Sequence, residues 1–200
     1  MTDSFLTIEK ATEGLYKDKG SKFLAFAFPV ETEDKIKEHI QQLKKEHYSA
    51  RHHCYAWRLG ADKKRFRAND DGEPSSTAGK PILGQIKRFE LSDILIVVVR
   101  YFGGTLLGVG GLINAYRGAA ADVLSNSKII EKLVEVSFKV EFDYPHMNAV
   151  MKVFKDEELI QKENQFEIRC SITTSVRENN AERIIEKLRK IESIKVILIE

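Results

Sequence analysis

The chain of 200 residues is 42% apolar and carries 32 basic against 30 acidic residues, which excludes the strongly basic composition of a dedicated nucleic-acid tail. Its two cysteines, Cys54 and Cys170, exclude a zinc ribbon and predict a reduced, disulfide-free protein of the cytoplasm. The first part of the chain shows no apolar signal segment, and no apolar run approaches the roughly eighteen residues of a membrane span.

Strand and helix patterns alternate in the first part of the chain. The stretch SKFLAFAFPV (21–30) is strand-like, and an amphipathic helix is predicted from Asp34 to His47. Residues 53–59 and 64–68 predict a hairpin. The run ILIVVV (94–99) is typical of a strand buried on both faces, and a second clear helix is expected at 111–125. This order predicts an α+β domain with helices on a mixed or antiparallel sheet.

A compositional boundary follows. All twelve glycines lie between Gly14 and Gly118, and the surplus of basic residues before 130 gives way to a surplus of acids. We therefore expect two domains, residues 1–128 and 129–200, joined near SNSKIIEK (125–132).

The second domain reads as a repeated strand and helix pattern. Alternation from Val134 to Phe142 predicts a strand, and Asp143 and Pro145 suit the start of a helix. Two further strands are expected around Asn164, then another helix and a last strand. The second of those strands is expected to carry Phe166, Ile168, Cys170 and Ile172 in alternation. The order βαββαβ predicts a ferredoxin-like sandwich, with the Met and Phe stripe of its first helix in the core.

The glycine-rich stretch VVVRYFGGTLLGVGGLINAYRGAA (97–120) combines a strand, a flexible turn and a helix start, as phosphate-binding loops do. It matches neither GxxxxGK[ST] nor GxGxxG, so no nucleotide fingerprint is present. Two interpretations stay open. The glycines serve tight packing alone, or they also form an anion site to which Arg100 and Arg117 lend charge.

Basic and aromatic residues interleave in the predicted hairpin, a combination typical of proteins that hold a phosphate backbone and stack bases. The alternative is a solvated hairpin with half of its aromatics in the core. The expected nucleic-acid-binding residues are Arg51, Arg58, Lys63, Lys64, Arg65, Arg67, Arg100 and Arg117.

Several side chains near the hairpin are candidates for a ligand or anion pocket beside the glycine loop. The candidates are His52, His53, Asp70, Asp71, Glu73, Arg100, Gly103, Gly104, Gly110 and Gly111. Because the sequence has no metal-binding or nucleophile motif, we expect no metal, no cofactor and no assigned catalytic residue. A hydrolase with a site near the glycine loop ranks below the two functions named in the next paragraph. Ser76 or Thr77 is expected to cap a helix starting near Ala78.

Four blocks of the sequence, taken in order, resemble the IMPACT family and its bacterial branch. The blocks are KGSKFLAFAFPV, ARHHCYAWRLG, DDGEPSSTAGKPIL and VVVRYFGGTLLGVGGLINAYRGAA. The resemblance implies a first domain like the second domain of ribosomal protein S5, an α/β sandwich, and a ferredoxin-like second domain like that of elongation factor G. Eukaryotic members regulate translation through a starvation-responsive kinase pathway, and the resemblance supplies no catalytic residues. It favours a non-enzymatic, translation-linked regulator that binds RNA or the ribosome, with a protein-interaction module in a stress-response pathway as the alternative.

Overall fold

The computed structural model describes residues 3–167 and 169–199, which form two compact units. The larger unit spans residues 5–132, and the smaller comprises residues 133–199 with residues 3 and 4. The division after residue 132 falls slightly beyond the boundary expected after residue 128. No helix in the described ranges is long and apolar enough to cross a membrane.

The larger unit contains seven strands and three helices. In chain order they are β1 (Ser4–Ile8), β2 (Thr12–Asp18), β3 (Ser21–Pro29), α1 (Glu33–Glu46), β4 (His52–Leu59), β5 (Arg65–Asn69), α2 (Gly79–Arg88), β6 (Ile94–Tyr101), α3 (Gly108–Ser125) and β7 (Ile129–Leu133). Five strands form an antiparallel sheet in the order β2-β3-β6-β4-β5. The predicted hairpin is therefore β4 and β5, and the predicted buried strand is β6, at the centre of the sheet.

Side chains of β6 alternate between two cores because a strand turns successive residues to opposite faces. Ile96 and Val98 pack in the cluster that contains α2 and α3, whereas Val97 and Val99 pack in the cluster that contains α1. Every residue from Ile94 to Arg100 is buried. This confirms the prediction of a strand buried on both faces.

The strand β7 occupies the segment that the sequence suggested as a joint. It pairs with β1 in a two-stranded sheet. The Glu9 amide donates to the Lys128 carbonyl (3.0 Å) near one end of this pair, and the Val134 amide donates to the Asp3 carbonyl (2.7 Å) at the other. These bonds show that the two strands run antiparallel.

The smaller unit has four strands and two helices in the predicted order βαββαβ. They are β8 (Glu135–Asp143), α4 (Met147–Asp156), β9 (Glu163–Phe166), β10 (Arg169–Arg177), α5 (Glu178–Arg189) and β11 (Lys195–Ile199), with a 3₁₀ turn (Tyr144–His146) before α4. The sheet is antiparallel, in the order β11-β8-β10-β9.

Details of the smaller unit correct the predicted strand boundaries. Phe166 ends β9, whereas Cys170 and Ile172 belong to β10, and Ile168 lies outside the described residues. Val150 and Phe154 of α4 are buried, with Met147 and Met151 packed beside them, so the Met and Phe stripe is core as predicted.

One carboxylate joins the two helices of this unit. Glu157 accepts hydrogen bonds from Arg183 (2.8 and 2.6 Å) and Lys187. Hydrogen bonds from the two cations lower the pKa of Glu157 to about 2, and the Arg183 guanidinium has the larger effect.

Candidate functional site

A buried polar cluster lies where β6 ends against α3. Glu73 accepts hydrogen bonds from Arg100 Nη1 (2.6 Å) and from the Tyr116 hydroxyl (2.8 Å) at the same oxygen, Oε1. Cys54 Sγ lies 3.3 Å from the Tyr116 hydroxyl oxygen. All four side chains are buried. Burial is the largest cause that raises the pKa of Tyr116 and of Cys54, so both groups are held in their protonated forms.

The loop between β5 and α2 is held in place by Asp70. Its Oδ1 accepts from the amides of Ala78 (3.0 Å) and Gly79 (2.8 Å), and its Oδ2 accepts from the Ser76 amide (2.8 Å). Asp70 therefore satisfies the free amides at the start of α2. The expectation that Ser76 or Thr77 caps this helix is wrong, because the Thr77 hydroxyl instead donates to the Pro74 carbonyl (2.6 Å).

Asp71 supports the start of β4. Its Oδ2 accepts from the His53 amide (2.7 Å), and its backbone carbonyl lies 2.9 Å from His52 Nδ1. A carbonyl only accepts, so His52 carries a proton on Nδ1, and no described residue bonds its Nε2. His53 points to the other sheet face and is buried, and burial lowers its pKa although Asp71 opposes the shift.

A cavity of about 840 Å³ opens beside the buried cluster. The polar side chains of its lining are those of Ser49, Arg51, His52, Glu73, Arg100 and Tyr101. The apolar lining comes from Pro74 and from the glycine loop and the first turns of α3, which contribute Phe102, Leu106, Leu107, Val109 and Leu112. The structure thus brings three of the predicted pocket side chains to one cavity: His52, Glu73 and Arg100. His53, Asp70 and Asp71 lie outside its lining and make structural contacts.

The four predicted loop glycines are not part of that lining. A Cβ on Gly103 would lie 1.9 Å from the Gly20 carbonyl carbon, and Gly104 has φ of 88°, so packing and turn geometry require both. Gly110 and Gly111 lie in the first turn of α3. Gly108, with φ of 70°, is the loop glycine that reaches the cavity.

The start of α3 leaves backbone donors free. Its N-cap residue, Leu107, has no side-chain cap, and no acidic residue lies in the first turn. The amides of Gly108, Val109 and Gly110 precede the first intrahelical bond, and no acceptor contacts them in residues 3–167 and 169–199. The glycine loop therefore has both properties that the sequence left open: tight packing and an uncapped helix start.

The predicted basic residues do not form one surface. Arg58 is buried and its Nε donates to the Leu91 carbonyl, and Arg100 is buried against Glu73. Both are therefore corrected: neither presents a charge on the protein surface. Arg51 and Arg117 are exposed, Arg51 at the His52 end of β4 and Arg117 on α3. The hairpin residues lie at the Leu59 end of β4, about 23 Å away at the usual rise of a strand.

The remaining predicted cations form the hairpin patch, which we define as Lys63, Lys64, Arg65, Phe66, Arg67 and Lys87. Phe66 is 49% exposed on the edge strand β5, and Lys87 Nζ lies 4.3 Å from the centre of its ring. Arg65 pairs with Glu33 (3.0 Å) and Lys63 with Glu90 (2.8 Å) at the surface.

Sequence reasoning missed several residues of the site. Tyr116 lies within the helix predicted at 111–125, and its hydroxyl was the one signal that this helix meets a buried polar group. Phe102, Leu106 and Val109 were hidden inside a glycine-rich block, although large apolar residues in such a loop are themselves a signal. The described residues contain no group of three or more His, Cys, Asp or Glu side chains placed to bind a metal ion.

Comparison with known proteins places these features in context. A family model described as the Impact N-terminal domain matches residues 19–124. The chain is 33% identical over 186 residues to the IMPACT family member YvyE of Bacillus subtilis, which covers 93% of this chain and 86% of that protein. It is 36% identical over 134 residues to the IMPACT family member YigZ of Escherichia coli, 66% of each chain.

The similarity extends to solved structures and to eukaryotes. A crystal structure of a hypothetical protein is 27% identical and superposes over 100% of this chain and 99% of that one, with a TM-score of 0.75. Protein IMPACT of Rattus norvegicus is 32% identical over 94 residues, 46% of this chain but only 30% of the rat protein. The similarity to the rat protein therefore covers less than half of this chain.

Proposed function

Because the chain belongs to the IMPACT family, we propose that it is a non-enzymatic, translation-linked regulator that binds RNA or the ribosome in the cytoplasm. The proposal rests first on the family: the resemblance described above implies a link to translation, because eukaryotic members regulate it. It rests second on one edge of the larger unit, the hairpin patch along β5.

The hairpin patch supports the proposal because it combines an exposed aromatic ring with flanking cations. Phe66 of the edge strand β5 projects from the sheet face of α2, where Lys87 lies over its ring. Arg65 and Arg67 project from the opposite face, where Arg65 pairs with Glu33 of α1, so a single strand that wraps around this edge would meet the ring and both arginines. Stacking of a base on an aromatic ring and contact of Lys or Arg with phosphates are the two components of single-strand recognition.

The surface ion pairs of the patch do not oppose this role. The side chains of Arg65 and Glu33 are both about half exposed, and such pairs contribute about 0.2–1 kcal/mol. A phosphate can therefore replace Glu33 at little cost in free energy. Arg67 is exposed and has no acidic partner in the part of the chain that the structure describes.

We also propose that the smaller unit is ferredoxin-like and that the larger unit resembles the second domain of ribosomal protein S5. The sheet order β11-β8-β10-β9 puts the first and third strands of βαββαβ at the centre, as expected for a ferredoxin-like domain. The larger unit packs helices on both faces of its antiparallel sheet, which is compatible with the layered α/β sandwich of the second domain of ribosomal protein S5.

The test is cosedimentation with ribosomes and binding to single-stranded RNA across a series of salt concentrations. We expect affinity to fall linearly on a log–log plot, because phosphate contacts release counterions. The double variant Arg65→Glu and Arg67→Glu should weaken binding at least tenfold and lower the salt slope by about 1.5, as two phosphate contacts are lost.

The matched control reverses two exposed lysines of α4, Lys152→Glu and Lys155→Glu, which changes the net charge equally. We expect this control to bind more tightly than the hairpin variant by at least fivefold. Equal loss in both variants would show a non-specific charge effect, and binding that does not respond to salt would contradict the proposal.

A second candidate function is a protein-interaction module. The observation in its favour is the exposed apolar set beside the cavity, in which Leu106 is 84% exposed. Charge reversal at Arg65 and Arg67 separates the two functions, since binding at an apolar interface should tolerate it. Ribosome association that survives this reversal but is lost in Leu106→Ser would favour the interaction module.

A further inference from the structure

The cavity beside α3 has the size and lining of a small-molecule site. Its volume of about 840 Å³ lies within the roughly 300–1,000 Å³ of ligand pockets, and a few polar groups converge at one side of a mainly apolar wall. We infer that this cavity binds a small organic acid, with a single carboxylate on a mainly apolar body.

The charges of the lining favour a monoanion. The lining contains two guanidinium groups, of Arg51 and Arg100, and the single carboxylate of Glu73, which pairs with Arg100, so one positive charge is left unbalanced. A carboxylate neutralises that charge. A phosphate monoester, with about 1.5–2 negative charges at neutral pH, would leave an excess of negative charge in the site.

Arg100 retains donors for such a ligand. Its side chain is 8% exposed, and one of its five N–H groups meets Glu73. No other acceptor contacts the guanidinium among the described residues. Its Nε is buried with almost no accessible surface, so Nη2 is the nitrogen that a ligand in the cavity would meet. A buried guanidinium with unused donors is costly, and a carboxylate is the group that satisfies it best.

The first turn of α3 adds a second, independent group of donors. The amides of Gly108, Val109 and Gly110 lack acceptors in the structure described, and the helix dipole gives this end partial positive charge. Gly108 and Val109 line the same cavity as Arg100. A carboxylate between Arg100 and these amides would therefore meet donors from two sides.

The apolar wall accounts for the rest of the ligand. Phe102, Leu106 and Val109 are 57%, 84% and 59% exposed, although large apolar side chains are favoured by burial. An apolar body of the ligand would cover them. This site lies at the end of β4 away from the hairpin patch, so the inference is independent of RNA binding and can fail without it.

The experiment is an NMR titration of the full chain with two acids, indole-3-acetate and hexanoate, and with their uncharged amides, indole-3-acetamide and hexanamide. At least one acid should cause saturable shifts of the Gly108 and Gly110 amide signals, and its amide should bind at least tenfold more weakly. If neither acid gives saturable shifts there, or if acids and amides bind equally, the inference is overturned.

Variants distinguish the cavity from a general charge effect. Arg51→Gln and Leu106→Ser alter an exposed charge and an exposed apolar side chain of the lining, and each should weaken the acid at least threefold. Arg117 is an exposed arginine of α3 that does not line the cavity, so the variant Arg117→Gln should bind the acid like the wild type. Equal weakening in Arg51→Gln and Arg117→Gln would refute the site.

Discussion

Removal of the charge of Glu73 should destabilise the larger unit by leaving Arg100 without its counter-charge. Both side chains are more than nine-tenths buried, at 4% and 8% exposure. Breaking a buried pair by removing one partner costs about 3–5 kcal/mol. Glu73→Gln keeps one acceptor for Tyr116 or Arg100, so we expect the lower end, about 3 kcal/mol. An Arg100→Met background already leaves the Glu73 carboxylate without its counter-charge, so the same substitution should be neutral or stabilising there.

Urea unfolding followed by the fluorescence of Trp57, the single tryptophan, reports on this unit alone. With a slope of about 1.5 kcal/mol per molar urea, Glu73→Gln should lower the midpoint by about 2 M. Glu33→Gln, which breaks the exposed pair with Arg65, is the control and should cost less than about 0.5 kcal/mol. The reasoning is refuted if Glu73→Gln costs as little as this control, or costs the same with and without Arg100.

Four further outcomes follow from the structure. Gly84→Ala should stabilise the larger unit by about 0.5–1 kcal/mol in the same urea assay, because a Cβ there meets nothing within 4 Å. Asp70→Ala should cost about 2–4 kcal/mol by the same measurement, because three backbone amides lose their charged acceptor. Asp70→Asn should cost clearly less. Arg183 and Lys187 of α5 lower the pKa of Glu157 to about 2. The contribution of Glu157 to stability is therefore complete above about pH 5 and is lost as the pH falls towards 2. Hydrogen exchange of the smaller unit should show this loss in the wild type and a weaker pH dependence in Glu157→Gln. Burial raises the pKa of the Cys54 thiol, so iodoacetamide should leave it unmodified at pH 8 until urea unfolds the larger unit.

The sequence predicted those elements whose signal is local. The strand β6 was predicted from its β-branched run and α1 from its amphipathic period, because each pattern is complete within its own residues. The start of α3 was placed at residue 111, three residues late, because its first turn is rich in glycine, which has weak helix propensity. The start of α2 was assigned to the wrong cap because Asp70 reaches it from a separate part of the loop.

The candidate site was predicted only in part, because contacts in three dimensions decide the role of each polar side chain. Alternation along β4 puts Arg58 on the same face as Cys54 and Ala56, so its burial was within reach of the sequence. The pairing of Glu73 with Arg100 was not, since 27 residues separate them in the chain. The cations were grouped because they are close in sequence. In the sheet, Arg51 lies the length of β4 away from the cations of the hairpin.

The antiparallel pairing of β1 with β7 has a consequence for evolution and engineering. The first residue of β1 lies beside the last residue of β7, so the chain enters and leaves the larger unit at neighbouring points, about 5 Å apart across paired strands. A unit with adjacent ends can be inserted into a surface loop of another protein, or circularly permuted, without strain on either host or guest. That geometry suits transfer of the larger unit as a module between longer proteins.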